Sequence, residues 1–346
     1  MGKMTLLSFI GDQFTTLPTV DSFKCDLTGK TVIVVGSNTG LGLEATRHLA
    51  TMNPGRLILA CRSIPKAEKA LKSIRATTNY KGGEVWAVDL TDFASISAFA
   101  DKFEKDGGGR LDILLENSAV GVEKYYRTKD GLESTIQTNH LGTTLLGILL
   151  LPFLSKSPAD SVTPRIVIVS SEVHYWAKFD TEVTSSPRML DKLNSEEYCT
   201  ASVMKQRYFV SKLINVFFMR AFAAHLSPQN PVIIDAVNPG FCTSELRRNM
   251  EPTFMMKMME LFLARTTECG SRTLVHAAIG GGKELHGRYL SNCAIREESD
   301  YCLSKEGSVI QDRLWNETIE MLSAVDPRVK TITGEYLGHT APHRTF

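Results

Sequence analysis

The sequence has no excess of charge of either sign. Its 39 Lys and Arg nearly balance 38 Asp and Glu, leaving a net +1 over 346 residues. That balance gives no reason to expect nucleic acid or an anionic bilayer as a partner. Long hydrophobic runs are also scarce, and no uninterrupted apolar stretch reaches the length of a bilayer span. The opening MGKMTLLSFIGDQF lacks the apolar core of a secretory signal. It begins Met-Gly, yet Leu6 stands where the myristoylation pattern needs Ser or Thr. The seven cysteines, at 25, 61, 199, 242, 269, 293 and 302, are scattered. None form Cys-x-x-Cys, and none cluster with histidine at zinc spacing. We therefore expect no metal, free thiols in a reducing compartment and a cytoplasmic location. Repeats, low-complexity tracts and inter-domain linkers are missing too. What remains is 43% hydrophobic and 22% charged, enough for one large core.

Against these absences stands 31-TVIVVGSNTGLGLEATRHLA-50. Thr31 to Val35 is a β-branched run with the composition of a buried strand. From Leu41 onward, apolar residues at 41, 45 and 49 keep helical spacing. Gly36, Gly40 and Gly42 lie between the two patterns. Glycine tolerates positive φ and lets a ligand approach the backbone. The free N–H groups of a first helical turn favour an anion. The stretch reads as a phosphate cradle, against the plainer alternative of an ordinary glycine turn.

The same alternation continues. Further strands are expected at 56–60, 84–88, 111–115, 165–170 and 232–237. Helices are expected at 66–77, 94–105, 135–151 (closed by Pro152) and 204–226. Between 172 and 198 the chain reads as polar and irregular. Short strands alternating with helices imply a doubly wound parallel sheet, a three-layer α/β/α Rossmann fold. We read a single domain with a core over about 28–295 and a C-terminal extension. Such sheets bind ligands at the carboxyl ends of their strands. The residues there are Gly36–Gly42, Arg62, Asp89, Asn117, Ser170, Ser171, Pro239 and Gly240.

Arg62 follows the second strand, where an acidic residue would bind a ribose 2′-hydroxyl. Arginine suits a 2′-phosphate instead, and no Asp or Glu lies between Leu57 and Lys66. This favours NADP(H) over NAD(H), against the alternative of a solvated surface arginine. A Tyr-x-x-x-Lys pair puts both side chains on one helical face, and the ammonium lowers the phenol pKa toward a range useful for proton transfer. The chain holds three such pairs, Tyr125/Lys129, Tyr208/Lys212 and Tyr301/Lys305, so context must choose. Tyr208/Lys212 alone lies on a helix between a strand ending in Ser170-Ser171 and the next strand. The other two read as helix or loop surface.

These residues spell a family pattern. VGSNTGLG (35–42), CRS (61–63), DLTD (89–92), LDILLENSA (111–119), TNHLG (138–142), RIVIVSS (165–171), YFVSK (208–212) and NPGFCTSEL (238–246) run in order over about 210 residues. The chain resembles the short-chain dehydrogenase/reductases, in particular their retinol-dehydrogenase-like branch and related fungal biosynthetic enzymes. The resemblance implies that Tyr208 is the general acid for ketone reduction or the base for alcohol oxidation. Lys212 would hold the nicotinamide ribose and depress the tyrosine pKa. Ser171 would bind the substrate oxygen, and Asn139 would place a water in a proton relay to Lys212. Gly36, Gly40 and Gly42 would line the pyrophosphate, and Ser37, Asn38 and Leu41 of the same turn would bind the cofactor. Arg62 would meet the 2′-phosphate, Asp89 the adenine, and Lys66, Asn117, Pro239, Gly240, Thr243 and Ser244 the rest of the cofactor. Bottom-up chemistry agrees on the centre: hydride transfer to a carbonyl develops negative charge on oxygen, which a serine donor and an acidic tyrosine stabilise.

Departures from the pattern are Val35 for the usual Thr, and Glu116-Asn117-Ser118-Ala119 for Asn-Asn-Ala-Gly. Ser171 and Tyr208 are also far apart, with an insertion over 172–207 expected at the site mouth. His174, Tyr175 and Trp176 could line the pocket there, His174 equally reading as a plain loop residue. The methionine-rich segment 250–265 reads as a lid over an apolar ligand, with core packing or a weak membrane-surface contact as alternatives. We therefore expect an NADP(H)-dependent alcohol/ketone oxidoreductase on a small hydrophobic substrate, a terpenoid, polyketide or retinoid-like molecule. Arg62 tilts the direction toward reduction. Homodimerisation through the helices at 135–151 and 204–226 is possible by resemblance, unless the insertion and C-terminal tail block it. The rivals are a catalytically silent cofactor-binding protein, a retinol or steroid dehydrogenase, and an extended epimerase or dehydratase. The last carries a Gly-x-x-Gly-x-x-Gly spacing that Gly36, Gly40 and Gly42 do not fit.

Overall fold

A computed structural model describes residues 4–159, 162–243 and 254–338. Its centre is an eight-stranded sheet in the order β3-β2-β1-β4-β5-β6-β7-β8. The strands are β1 (Thr31–Val35), β2 (Arg56–Cys61), β3 (Glu84–Ala87), β4 (Ile113–Glu116), β5 (Arg165–Val169), β6 (Ile233–Asn238), β7 (Tyr289–Ser291) and β8 (Ala294–Arg296). All pairings are parallel except β7 with β8. Alternation along each strand feeds two cores. Ile33 and Val35 face one apolar layer, and Val32 and Val34 face the other. Helices Phe93–Asp106 and Ala201–His225 contribute to the first layer, and Gly40–Ala50, Ile64–Thr77 and Thr267–Ile279 to the second. This is the expected three-layer fold. The register sets Val35 beside Ala60 on one side and Glu116 on the other, so the carboxyl ends of β2, β1 and β4 share one edge. The strand order reverses at β1/β4, the place where such sheets open a crevice.

The expected helix at 135–151 runs further than its proline allowed. Ser134–Ile136 leads through a π-turn, Gln137–Gly142, into Thr143–Ser155 with Pro152 inside it. Proline removes one N–H donor, and the buried apolar surface on all sides of this segment holds its last turn. By length and composition Ser134–Ser155 could span a bilayer, but 83% of its apolar window is buried, so it is a core helix. The 172–207 insertion is also more ordered than its polarity implied. It forms helices Thr181–Thr184 and Met189–Asn194, and Val183, Met189, Leu190 and Leu193 join the core. Tyr301, read as surface, is likewise buried against Phe217 at 6.0 Å. Three further elements bear on the site or its surroundings: an N-terminal helix, Leu6–Gln13, and C-terminal helices Lys305–Val325 and Arg328–Tyr336.

Candidate active site

The strand edge opens into a cleft of about 730 Å³. Its floor at one end is the turn after β1. Gly36 has φ +76°, and a Cβ there would lie 2.4 Å from Ser118 Oγ, so only glycine fits. Gly40 has φ +58° and faces open space, into which any side chain would project. Gly42 lies beneath, where a Cβ would stand 2.3 Å from Gly36 O; it lets the helix pack onto the turn and does not line the cleft. Thr39 precedes the helix Gly40–Ala50 but makes no side-chain cap, which leaves first-turn N–H groups for a ligand anion. Asn38, Gly40 and Leu41 line the cleft. Ser37 does not: it is fully buried, with its hydroxyl 3.3 Å from the Cys61 thiol, so this expected contact belongs to the packing of the turn. Asn117 fastens the turn from β4, its Nδ2 donating to Gly36 O at 3.1 Å.

Arg62 and Lys66 flank the start of helix Ile64–Thr77 on the cleft wall, both exposed and without an ion pair among the described residues. Its Ser63 N-cap position is also uncapped by a side chain. Asp89 lines the cleft, and its Oδ1 accepts from Thr91 N and Oγ1. The residues present therefore fit a dinucleotide: an open glycine cradle at a helix N-terminus, and two exposed cations beyond it.

At the other end, helix Ala201–His225 carries Tyr208 and Lys212 along the cleft. The Lys212 Nζ lies 5.7 Å from the Tyr208 ring centroid and donates to Val169 O at 2.7 Å. Burial holds its pKa down to about 7. The two serines after β5 divide their tasks. Ser170 is buried and donates to Lys212 O at 3.0 Å, whereas Ser171 is half-buried on the cleft wall. Asn139 sits in the π-turn, outside the cleft lining. Its Oδ1 accepts from Val120 N at 2.8 Å, and its Nδ2 donates to Val120 O at 2.8 Å and Ser211 Oγ at 3.0 Å. The side chain is thus spent on holding the loop after β4 to the catalytic helix, and the Asn139 main-chain carbonyl accepts from the Asn215 amide at 2.7 Å. Pro239 and Gly240 line the cleft. Thr243 does not; it is exposed and its N–H donates to Arg265 O at 3.0 Å. Ser244 lies outside the described residues.

The substrate end is apolar. Leu6, Phe9, Val173, Trp176, Met204, Phe209, Phe241 and Met259 line it. Of the expected lid, 250–253 lies outside the described residues; helix Phe254–Leu263 brings Met259 to the cleft and leaves Met258, Leu261 and Phe262 exposed. His174 turns away from the pocket. Its Nδ1 bonds Ser171 O at 2.8 Å, its Nε2 accepts from Ser299 N at 3.3 Å, and burial holds its pKa near 4. Tyr175 donates to Glu297 O, so Trp176 alone of that trio meets the cleft. Two site features escaped sequence reading: the N-terminal helix as a cleft wall, and Glu172 beside Ser171. Glu116, the departure at the end of β4, is buried with an unpartnered Oε1, and desolvation raises its pKa well above the usual range.

Fold and cleft together define an α/β protein of dinucleotide-binding type with a Tyr-Lys centre. A short chain dehydrogenase family model matches residues 30–177. The chain is 37% identical over 305 residues to the short chain dehydrogenase/reductase dmxR8 of Cryptosporiopsis sp., covering 87% of this chain and 93% of that protein. It is 33% identical over 326 residues to retinol dehydrogenase 12 of Mus musculus, covering 92% and 96%. The NADPH-bound carbonyl reductase from chicken fatty liver shares the fold, with a TM-score of 0.55 over 77% of this chain and 97% of that one at 19% identity. The chain belongs to the short-chain dehydrogenase/reductase family, whose members are oxidoreductases on a fold that implies a nicotinamide cofactor.

Proposed function

We propose that the protein is an NADP(H)-dependent oxidoreductase that interconverts a ketone and a secondary alcohol on a hydrophobic substrate, a terpenoid or polyketide, in the cytoplasm. The observation that carries this reading is one cleft joining two exposed cations, Arg62 and Lys66, and an uncapped helix N-terminus to the Tyr208–Lys212 pair and an apolar wall. When bound, the nicotinamide supplies hydride to the carbonyl carbon or accepts it from the alcohol. Tyr208 then gives its phenolic proton to the carbonyl oxygen, or takes the alcohol proton in the reverse direction. Ser171 donates a hydrogen bond to the same oxygen and stabilises its developing charge. Lys212 holds positive charge near the phenol and favours the phenolate. Asn139 fixes the loop and the helix relative to each other. The name of the chicken carbonyl reductase, NADPH-bound, accords with the choice of cofactor. The test is turnover of a ketone panel with NADPH and with NADH, read at the nicotinamide absorbance. Reduction with NADPH that needs Tyr208 supports the reading; no turnover and no cofactor binding sinks it.

We infer also that the protein acts as a monomer. Helix Arg328–Tyr336 packs on Thr143–Ser155, and Lys305–Val325 packs on Ala201–His225. Trp315 stacks on His225 at 4.6 Å and on Phe218 at 5.4 Å. The helices expected to pair between copies are thereby covered by the chain's own C-terminal extension. Light scattering should give a mass near 38.3 kDa, and twice that mass would contradict the inference.

A further inference from the structure

The cleft wall carries a buried carboxyl that neither the hydride step nor the proton path uses. Glu172 follows Ser171, lines the cleft and is only 4% exposed. Its Oε2 accepts from Asn238 Nδ2 at 3.1 Å and Gln13 Nε2 at 3.5 Å. Its Oε1 has no hydrogen-bond partner among the described residues. Burial raises its pKa to about 7, with Arg265 and Asp12 as charged neighbours of opposite effect. The carboxyl therefore keeps its proton in about half the molecules at neutral pH and in more below it, and can donate as well as accept.

The groups steering Glu172 are themselves anchored. Asn238 ends β6; its Nδ2 also donates to Ser291 Oγ at 3.1 Å, and its Oδ1 accepts from Gly240 N at 3.0 Å. Gln13 ends the N-terminal helix, and its Oε1 accepts from Phe241 N at 3.1 Å. That helix is held by Arg265, which donates to the Asp12 carbonyl, and by Asn292, whose Nδ2 donates to Asp12 Oδ1 at 3.1 Å. Trp176 Nε1 donates to Met4 O at 3.0 Å, and Phe9 packs edge-on to Trp176 at 5.8 Å. An apolar residue at 172 would avoid the cost of burying a half-partnered carboxyl. A ligand group that completes the partnership offsets that cost.

We propose that Glu172, steered by Asn238 and Gln13, hydrogen-bonds a hydroxyl that the substrate carries in addition to its reacting carbonyl. The substrate class is then a hydroxylated ring ketone, with its apolar face against Phe9 and Trp176. This rests on the ketone reading above for the reacting group. The probes are α-tetralone and its ring-hydroxylated isomers. Each is titrated calorimetrically into the protein with and without NADP⁺, and turnover with NADPH is followed separately. At least one hydroxylated isomer should bind about tenfold or more tightly than α-tetralone. Glu172→Leu should erase that preference and leave α-tetralone affinity unchanged. Glu172→Gln, which still donates, should keep it within about threefold. Should the leucine variant fail to fold, Glu172→Met, closer in shape, carries the same comparison. A preference that survives removal of the carboxyl, or no preference in the wild type, overturns the proposal. A preference erased by Glu172→Leu without turnover of any ketone upholds Glu172 and sinks the oxidoreductase reading, so the two failures are distinguishable.

Discussion

Tyr208→Phe should lower kcat/KM for ketone reduction by about 10³-fold, within the range that a positioned general acid contributes. Phenylalanine keeps the ring and removes the hydroxyl that carries the transferable proton. Tyr208 is half-buried on the face of helix Ala201–His225 that lines the cleft, so its loss leaves the core intact. NADPH affinity should stay within about fivefold, because the glycine cradle and Arg62 lie at the other end. Lys212→Met is the companion. It should lose activity to a similar extent without losing stability. Burial depresses the folded-state pKa of Lys212 to about 7, so the unfolded chain binds more protons between there and the ordinary lysine value. The lysine therefore costs stability at neutral pH, and that cost fades as pH rises. A methionine escapes it. Wild-type rates in Tyr208→Phe would remove the tyrosine from the mechanism.

Asp235→Asn should stabilise the protein more at pH 8 than at pH 5. Asp235 lies in the middle of β6, fully buried, and neither carboxyl oxygen has a hydrogen-bond partner among the described residues. Desolvation pushes its pKa up to about 8, against a smaller opposing pull from Arg165. The sign follows. A carboxyl whose folded pKa is raised holds its proton while the unfolded chain releases it, so stability falls as pH climbs from the ordinary carboxylate value toward the folded one. Asparagine does not titrate. The stability difference between variant and wild type should therefore grow by roughly 3 kcal/mol between pH 5 and pH 8. Glu116 and Glu172 titrate in the same direction in both proteins and cancel in the comparison. Urea unfolding at the two pH values reads it; a difference that does not change with pH would mean Asp235 is ionised in the folded state.

Much of this fold was legible because β1 to β6 are β-branched runs with helical spacing between them. The expected ends of these strands were within about two residues of those observed, the ordinary uncertainty of such boundaries. The misses have physical causes. β7 and β8 have three residues each, too short for a periodicity to register. The N-terminal helix carries a local signal, the Thr5/Ser8 capping box, but its importance is tertiary: Gln13 and Glu172 are 159 residues apart. Pro152 reads as a stop, yet burial of the surrounding turns holds the helix to Ser155. In the 172–207 insertion, polar residues mask the few apolar positions that reach the core. The site was legible in residue identities, through motif order, and less so in orientation. Ser37, Gly42 and Asn139 stand where the motifs put them, but their side-chain space is spent on holding the turn and the catalytic helix.

The central claim is that this cleft takes a dinucleotide with a 2′-phosphate. The most direct measurement is titration of wild type and Arg62→Glu with NADPH and with NADH, following quenching of tryptophan fluorescence; Trp176 lies on the cleft wall. Wild type should prefer NADPH, and the variant should lose about 100-fold in NADPH affinity while binding NADH as well as before or better. Equal binding of both cofactors with no response to the substitution would contradict the 2′-phosphate site. Binding of neither would leave only a catalytically silent role for this cleft.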